Sequence, residues 1–521
     1  MFFTSVNFGL FIACLLIGYY TIFRKFQWQL LLIGSFFFYA FSGFSNLIYI
    51  SVTICSTWFA SRQISRLRLK QKQFVEKNHD LSKEDKKAYK ATVNKRQKMW
   101  LAFCLLFNFA ILAVVKYTDF VIRNTNMITD TGFEPVNFLL PMGISFYTFQ
   151  TMGYIIDVYR GAEDEPNIFK LGLFTSFFPQ LIQGPISRFG DLKKTLFSQH
   201  KFSFEVFQSG LARVVWGFFK KLVVADRMMI VLRALVATPG EYTGVYVIFT
   251  VLFYAIALYA DFTGGIDITI GIARMLGITV KENFNRPFYA TSTADYWRRW
   301  HITMGTWFKD YLFYPISASR PMLRFFKWSK MILGEKLGKR IPIYVSTMIL
   351  WFATGLWHGA EWHFIVWGLA NGIVIVISEE LKPLYAMFHK RFSVGDRVWY
   401  HGFQVFRTFW LMSLIRTLDV YANVRHTFRM YWSVLTDFGW DRFLHKGFSG
   451  LGIDYVEYIV VSISIFVMIT VGFFHYNKKI EFLSLKPDYR CVLITLLVFA
   501  IIIFGVYGYG FDSQQFIYNQ F

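Results

Sequence analysis

Long apolar runs recur along the whole sequence and are separated by polar loops. Several of these runs hold 17 or more mostly apolar residues, which is the length that a helix needs to cross the hydrocarbon core of a bilayer. The pattern predicts an all-α polytopic membrane protein with roughly ten to twelve crossings plus re-entrant or interfacial helices. The predicted spans are residues 4–23, 28–41, 46–60, 99–115, 138–156, 246–259, 341–356, 362–378, 402–418, 455–474 and 492–506.

Three segments depart from a simple apolar span. Residues 167–184 are apolar but end in glutamines and a Gly-Pro pair, which predicts a re-entrant or broken helix held inside protein or water. Pro141 and Gly143 are expected to bend the span over 138–156. Residues 204–235 mix apolar with charged positions, so that both a crossing and an interfacial helix remain possible.

Basic residues are concentrated in the loops and predict the topology. Residues 61–98 hold 13 Lys and Arg against four Asp and Glu, which is typical of a cytoplasmic loop, here expected to be a charged helical excursion. The basic segments 320–340, 382–397 and 475–490 are likewise expected inside, and the polar loop 118–135 and both termini outside. This distribution accounts for the net charge of +22, so that a nucleic-acid partner is not expected.

Composition agrees with a membrane domain. The chain is 55% hydrophobic and 17% charged, against about 25% charged in soluble domains. One integrated domain over 1–521 is expected, with N-terminal helices to 137, a catalytic core over 138–372 and C-terminal helices from 373. No cleavable signal peptide is expected. Four cysteines lie in apolar runs without a close pair, which indicates core residues and neither a disulfide nor a metal site (Cys14, Cys55, Cys104 and Cys491).

Residues 351–372 carry the most informative pattern in the chain. This almost wholly apolar stretch holds His358, and its glycines fall at four-residue spacing. We expect one helix, or two helices broken near Gly359, with small residues that let another backbone approach closely. An ionisable side chain at membrane depth indicates a functional site. A structural histidine that is hydrogen-bonded to a neighbouring helix is the alternative.

A second histidine lies in residues 292–314. Ser292 and Asp295 have capping-box spacing, which predicts the start of a helix. Continued as one helix, the segment places a set of large side chains and His301 on one face. A satisfied core histidine is the alternative reading of His301. The residues on this face are Trp297, Trp300, His301, Met304, Phe308 and Tyr311.

Two carboxylates, Asp261 and Asp267, lie in apolar surroundings. They are interpreted as structural, either as helix caps or as partners for Arg274, with a proton or cation site as the alternative.

Common soluble-enzyme motifs are missing from the sequence. There is no GxSxG, GxGxxG or Walker A motif, and His358, Glu361 and His363 lack HExxH spacing, so that zinc is not expected. A buried histidine could serve as general base for transfer of an acyl group to a hydroxyl. It could equally relay protons in a transporter, or only pack helices in a membrane scaffold. Transporters often show internal repeats, and none is visible here.

Four stretches resemble the membrane-bound O-acyltransferase family, and within it the bacterial alginate O-acetyltransferase branch. They are FLLPMGISFYTFQTMGYIIDVYR (138–160), FFPQLIQGPISRF (177–189), ENFNRPFYATSTADYWRRWHITMGTWFKDYLFYPI (282–316) and GLWHGAEWHFIVWG (355–368).

The resemblance implies a ring of tilted helices around a central tunnel, with His358 as the catalytic histidine and general base and His301 as a second, supporting position. Other residues of the matching stretches are expected to line the tunnel or to orient the site. These supporting residues are Trp357, Trp362, Trp297, Arg298, Arg299, Trp300, Asp310, Gln180, Gln183 and Asn283.

The resemblance also implies substrates and partners. The donor would be a cytoplasmic thioester, acetyl-CoA or an acyl carrier protein, with no resident cofactor. A basic loop over 320–340 could hold the phosphates of coenzyme A, or could be ordinary positive-inside charge. The family's usual Gly-Gly pair after Tyr314 and Pro315 is replaced by Ile-Ser-Ala-Ser. The acetyl group would pass across a bacterial inner membrane to an exported polysaccharide, directly or through an extracytoplasmic SGNH-type acetyltransferase.

Overall fold

The computed structural model describes residues 3–181, 183–395, 397–421, 423–476, 485 and 487–507. Within these ranges the protein is helical and contains no strand, which confirms the all-α prediction. The chain divides into two compact units. One comprises the residues up to Phe207 together with Ile272–Val280, and the other comprises Gln208–Gly271 together with the residues from Lys281 onward. The expectation of one integrated domain stays a prediction.

In its described residues, the first unit contains eight helices. Two of them, α3 and α4, extend far beyond their apolar parts and pair as a hairpin, so that the basic segment 61–98 is helical as predicted. Ser82 caps α4 by accepting a hydrogen bond from the backbone N–H of Asp85 at 3.0 Å. The helices are α1 (Val6–Tyr20), α2 (Gln27–Ala40), α3 (Asn46–Lys77), α4 (Lys83–Thr129), α5 (Ile144–Arg160), α6 (Ile168–Ser176), α7 (Phe178–Leu181) and α8 (Phe189–Leu196).

Polar anchors fix α3 against the segment that follows α5. Arg62 pairs with Asp164 at 2.7 Å, and the indole N–H of Trp58 donates to the carbonyl of Pro166 at 3.0 Å. Because these partners lie about 100 residues apart in sequence, they set which helices become neighbours.

Two predictions in this unit are wrong in detail. The expected loop over 118–135 is largely helical, since α4 continues to Thr129. Pro141 and Gly143 do not bend a helix but precede it: α5 begins at Ile144, and Gly143 caps it with φ +69°, which glycine adopts without strain. The predicted break within 167–184 is confirmed, because α6 ends at Ser176 and α7 starts at Phe178.

The second unit holds most of α9 and α11 and the helices that follow. Two π-helical segments (Phe219–Ala225 and Lys309–Phe313) and two 3₁₀ turns (Pro287–Tyr289 and Thr417–Asp419) interrupt it. Its helices are α9 (Phe204–Phe218), α10 (Asp226–Ala237), α11 (Val245–Met275), α12 (Thr293–Arg299), α13 (Ile302–Phe308), α14 (Tyr314–Ser317), α15 (Arg320–His358), α16 (Trp362–Glu380), α17 (Lys382–Phe392), α18 (Val398–Arg416), α19 (Val424–Thr436), α20 (Trp440–Lys446), α21 (Tyr455–Tyr476) and α22 (Pro487–Phe504).

Glycines bring α9 and α11 into backbone contact. A Cβ at Gly217 would lie 2.6 Å from the carbonyl oxygen of Gly264, and one at Gly271 would lie 2.7 Å from that of Gly210. The contact requires residues without side chains. The segment 204–235, for which the sequence left two possibilities open, is therefore helical, and from Gln208 onward it packs closely inside this unit.

The α15 segment reverses direction at Gly334, whose φ is +74°. A Cβ at Gly338 would lie 2.5 Å from the Cα of Lys330, eight residues earlier, so that the chain folds back tightly on itself. The basic segment 320–340 is thus a helical turn and not an open loop. Lys330 and Lys339 both pair with Glu335 there, at 2.5 and 2.7 Å.

Within the described ranges, four helices are long and apolar enough to cross a membrane: α4, α11, α16 and the part of α21 over Tyr455–Phe474. The shorter α1 is also apolar. The predicted number of crossings stays a prediction. Most of the loop expected over 475–490 and the C-terminal residues 508–521 lie outside the described residues.

Candidate active site

The centre of the site is the junction of α15 and α16. Helix α15 ends at His358 and α16 begins at Trp362, so that the predicted break near Gly359 is confirmed. A Cβ at Gly355 would lie 2.5 Å from the carbonyl oxygen of Phe364, and one at Gly368 would lie 2.3 Å from that of Trp351. The glycines therefore let the two backbones touch, as their spacing predicted.

His358 is enclosed by aromatic rings. His358 is only 2% exposed. The centroid of its ring lies 4.6 Å from that of Trp367 and 5.0 Å from that of Trp357, both edge to face, and 6.5 Å from that of Phe364. Such an enclosure excludes water from the imidazole and fixes its orientation.

His301 occupies a break in the chain and not the face of a continuous helix. It has φ +47° and ψ +52°, in the left-handed region, between the end of α12 and the start of α13. The prediction of one helix with six large side chains on a single face is therefore wrong. The capping-box prediction is confirmed, because Ser292 caps α12 by accepting from the N–H of Asp295 at 3.2 Å.

Asn283 supplies the physical reason for this break. Its carbonyl accepts from the N–H of Ile302 at 2.9 Å, and its side-chain Oδ1 accepts from the N–H of Thr303 at 3.0 Å. The hydroxyl of Thr303 donates to the same oxygen at 2.9 Å. These bonds satisfy backbone donors that a continuous helix would otherwise pair internally.

The same oxygen determines the tautomer of His301. Nδ1 of His301 lies 3.2 Å from Oδ1 of Asn283. Because a backbone N–H donates to that atom, it is the amide oxygen and can only accept. Nδ1 must therefore carry the proton, and in the neutral ring Nε2 is the nitrogen without one.

One tryptophan touches both histidines. The ring of Trp357 lies 5.9 Å from that of His301 and 5.0 Å from that of His358. His301 is itself 0% exposed, and Phe262 of α11 covers it at 4.9 Å. Two residues that are 57 positions apart in sequence thus meet in one apolar enclosure.

A layer of tryptophans lies beside this enclosure. Trp297 contacts Trp351 at 4.7 Å and Trp367 at 5.8 Å, and its indole N–H donates to Oδ1 of Asn371 at 3.2 Å. Trp300 is buried against Phe284 at 5.1 Å. Both predicted tryptophans are therefore part of the packing around the site.

Four other predicted site residues differ in exposure and in partners, and their supporting role stays a prediction. Trp362 is 53% exposed and the side chain of Arg298 is 72% exposed. Arg299 pairs with Asp295 within α12 at 2.9 Å, and Asp310 is half-buried in the π-helical segment. None of these observations brings them to the two imidazoles.

Gln180 and Gln183 belong to the first unit and are buried there. The amide of Gln180 donates to the carbonyl of Pro185 at 2.8 Å and to the hydroxyl of Ser187 at 2.6 Å. Gln180 therefore stabilises the turn after α7.

The two carboxylates of α11 are structural, but their expected partner is wrong. Asp261 pairs with Lys221 at 2.7 Å, and Asp267 pairs with Lys220 at 2.6 Å and with Arg213 at 2.9 Å. The segment 204–235 supplies these cations, not Arg274.

The sequence reading missed a buried ion pair beside the site. Arg416 ends α18, and its Nε lies 3.0 Å from Oδ2 of Asp419. The guanidinium carbon lies 4.9 Å from the centroid of the Trp367 ring. The sequence does carry a signal for this ion pair, since two opposite charges stand three residues apart at the end of an apolar run.

Comparisons with known proteins agree with this architecture. Residues 156–327 match the model of the membrane-bound O-acyltransferase family. The chain is 33% identical over 348 residues to a probable alginate O-acetylase of Azotobacter vinelandii, covering 66% of this chain and 64% of the relative. It is 31% identical over 389 residues to the probable alginate O-acetylase of Pseudomonas aeruginosa, covering 73% and 66%.

A peptidoglycan O-acetyltransferase of Helicobacter pylori is 31% identical over 330 residues, covering 58% of this chain and 59% of the relative. The chain thus spans about two thirds or less of the length of these curated relatives. Together, the family-model match and the similarity to these relatives show that the chain belongs to the membrane-bound O-acyltransferase family.

Proposed function

We propose that this protein is a membrane O-acyltransferase that moves an acetyl group from a cytoplasmic thioester to an exported polysaccharide. The observation that carries the proposal is the pair of buried histidines that share Trp357 as a neighbour. Family membership and the similarity to O-acetylases support it.

In the proposed reaction, the neutral ring of His358 accepts the proton of an acceptor hydroxyl. The hydroxyl oxygen attacks the thioester carbonyl, and the tetrahedral intermediate collapses with loss of the thiolate. The imidazolium then returns its proton to the leaving sulfur. General-base catalysis of this kind contributes about 10²–10⁴-fold in rate. The aromatic enclosure favours the reaction because it excludes water, which would otherwise hydrolyse the thioester.

His301 is assigned a supporting role. With Nδ1–H held by Asn283, its Nε2 can accept a hydrogen bond in the neutral ring. It would orient the acceptor hydroxyl, while His358 takes the proton. Trp297, Trp300 and Trp357 would keep the two rings in place.

The binding site for the acyl donor is proposed from the positive charge of residues 320–340. The helical turn over 320–340 carries seven basic residues and one acidic residue, which suits the phosphates of acetyl-CoA or of a phosphopantetheine arm. Positive-inside charge alone would give the same pattern, so that the donor must be identified by assay. We place this turn on the cytoplasmic side of a bacterial inner membrane, with both termini outside.

The acceptor side is proposed from the relatives. The relatives are named as acetylating alginate and peptidoglycan, and we infer an exported glycan as the substrate class of this protein. Transfer is either direct or through an extracytoplasmic acetyltransferase partner.

The test uses the full chain in nanodiscs with radiolabelled acetyl-CoA, and separately with an acetylated acyl carrier protein. Thioester loss and label transfer are followed for the wild type, His358→Ala and His301→Ala. His445→Ala, at an exposed position in α20, is the matched control. We expect a loss of about 10²–10⁴-fold for His358→Ala and a smaller loss for His301→Ala, with the control unchanged.

A folded His358→Ala variant with full turnover would rule out its role as base. Absence of turnover by the folded wild type with every donor and partner tried would favour the transporter or scaffold reading instead.

A further inference from the structure

An ionised arginine lies buried beside the aromatic enclosure. Arg416 is the last residue of α18, and the 3₁₀ turn Thr417–Asp419 brings Asp419 back to it at 3.0 Å. Both side chains are buried. An isolated charge at such a position is strongly unfavourable, so that the pair must form for either residue to be tolerated.

The pair is connected to His358 through one ring. The guanidinium carbon of Arg416 lies 4.9 Å from the centroid of Trp367, and the ring of Trp367 lies 4.6 Å, edge to face, from that of His358. A guanidinium over an indole face is attracted by the ring quadrupole, most strongly where water is excluded. Leu418, from the same turn, packs against Trp351 and Trp367.

Trp367 is fixed from other directions as well. Its carbonyl accepts from the amide of Asn371 at 2.8 Å, and Trp297 and Trp351 pack on it at 5.8 and 6.2 Å. Among these contacts to Trp367, the contact from Arg416 is the one made by a charged group. That contact depends on a carboxylate to keep it oriented.

We propose that Arg416 is a positioning residue of the acyl transfer: held by Asp419, it fixes the ring of Trp367, and Trp367 fixes the ring of His358. The proposal rests on the proposed function. It concerns residues beyond the 156–327 range that the family model matches.

The first experiment measures kcat and KM for the thioester donor in Arg416→Gln/Asp419→Asn, which leaves no unpaired charge buried. We expect a fall of about 10²-fold in kcat, typical of a misplaced catalytic group, with the KM of the donor within about twofold. Arg416→Lys should recover only part of kcat, because an ammonium does not stack on an indole ring as the planar guanidinium does.

The matched control is Arg227→Gln/Glu457→Gln. Arg227 is also buried and faces Glu457 at 3.5 Å, within the same unit of the chain. Its variant should match the Arg416 variant in loss of melting temperature but keep kcat.

A double-mutant cycle with Trp367→Phe tests the route. If Arg416 acts through Trp367, adding Trp367→Phe to the Arg416 variant should lower kcat much less than the product of the separate effects. Independent, multiplicative effects would overturn the proposal, as would equal kcat in the Arg416 and Arg227 variants. A wild type without turnover would instead contradict the proposed function, so that the two failures are distinguishable.

Discussion

Ionisable side chains are buried in two regions of the second unit, and their surroundings differ between the two. In the α9–α11 region, the π-helical segment presents Lys220 and Lys221 to carboxylates of α11 and α10. Lys221 lies 2.7 Å from Asp261 and 2.8 Å from Asp226, and Lys220 lies 2.6 Å from Asp267. In the histidine region, the ionisable rings of His301 and His358 lie among tryptophans and phenylalanines.

The difference distinguishes a region in which ion pairs hold helices together from a region suited to catalysis. In the α9–α11 region each cation meets a carboxylate directly, and the helices are bound together by mutual neutralisation. The histidine region is held mainly by apolar packing and glycine contacts, with the Arg416–Asp419 pair beside it, and this leaves the imidazoles in a dry enclosure. We therefore expect the first region to lose stability when a charge is removed. The second region should be disturbed when the size or the orientation of a side chain changes.

The largest expected effect is in the α9–α11 region. Lys221→Met leaves Asp226 and Asp261 buried without their shared cation and should cost about 3–5 kcal/mol of unfolding free energy. Unfolding by denaturant in detergent measures it. The variant Lys221→Met/Asp226→Asn/Asp261→Asn removes the leftover charge and should regain most of the loss. If the single variant were as stable as the wild type, the bracing role would be wrong.

The next effect is in the histidine region. Asn283→Ala removes the oxygen that accepts from Thr303 and His301, and each donor left unsatisfied costs about 1–3 kcal/mol. Turnover should fall further than stability explains, because His301 loses its tautomer and orientation. Assaying turnover at a temperature where the variant is folded separates the two. Full turnover there would show that Asn283 only supports the backbone.

A size change at Gly368 tests the apolar packing. A Cβ there would lie 2.3 Å from the carbonyl of Trp351, so that Gly368→Ala must push α15 and α16 apart. Overpacking of this kind costs about 1–3 kcal/mol. Gly402→Ala, where a Cβ meets nothing within 4 Å, is the control and should show no loss. Equal melting temperatures for the two variants would contradict the close helix contact.

The smallest effect is expected for an exposed charge. Arg298→Gln should change the unfolding free energy by less than about 0.5 kcal/mol, since the side chain is largely in solvent and its partner Asp295 is 3.7 Å away. The same denaturation assay checks it. A loss as large as that of Lys221→Met would mean that burial does not decide which charges matter.

Sequence patterns predicted the elements that depend on local chemistry. The apolar runs, the basic hairpin of α3 and α4, the break before Trp362 and the capping by Ser292 follow from neighbouring residues, and the structure has them. His358 was singled out because an ionisable group in an apolar run is conspicuous, and His301 because it falls on the face of a predicted helix.

What the sequence did not predict depends on distant partners. The break at His301 is made by Asn283, 18 positions earlier, and the partners of Asp261 and Asp267 come from a segment some 40 to 54 positions earlier. Helical periodicity assumes that a helix continues, so that it placed His301 on a face that the chain does not form. Arg416 was overlooked because its apolar run ends within reach of Asp419, and only packing shows which ring it covers.

The backbone of His301 has a consequence for how this protein would evolve. A left-handed conformation costs a non-glycine residue about 1–3 kcal/mol, which glycine would not incur. A His301→Gly replacement would remove that cost but would also empty the space that the buried imidazole fills, so that backbone strain and side-chain packing oppose each other at this position. Position 301 thus keeps a side chain that its backbone conformation disfavours. The residues that occupy this position in related sequences would show whether the imidazole or the backbone conformation is under stronger selection.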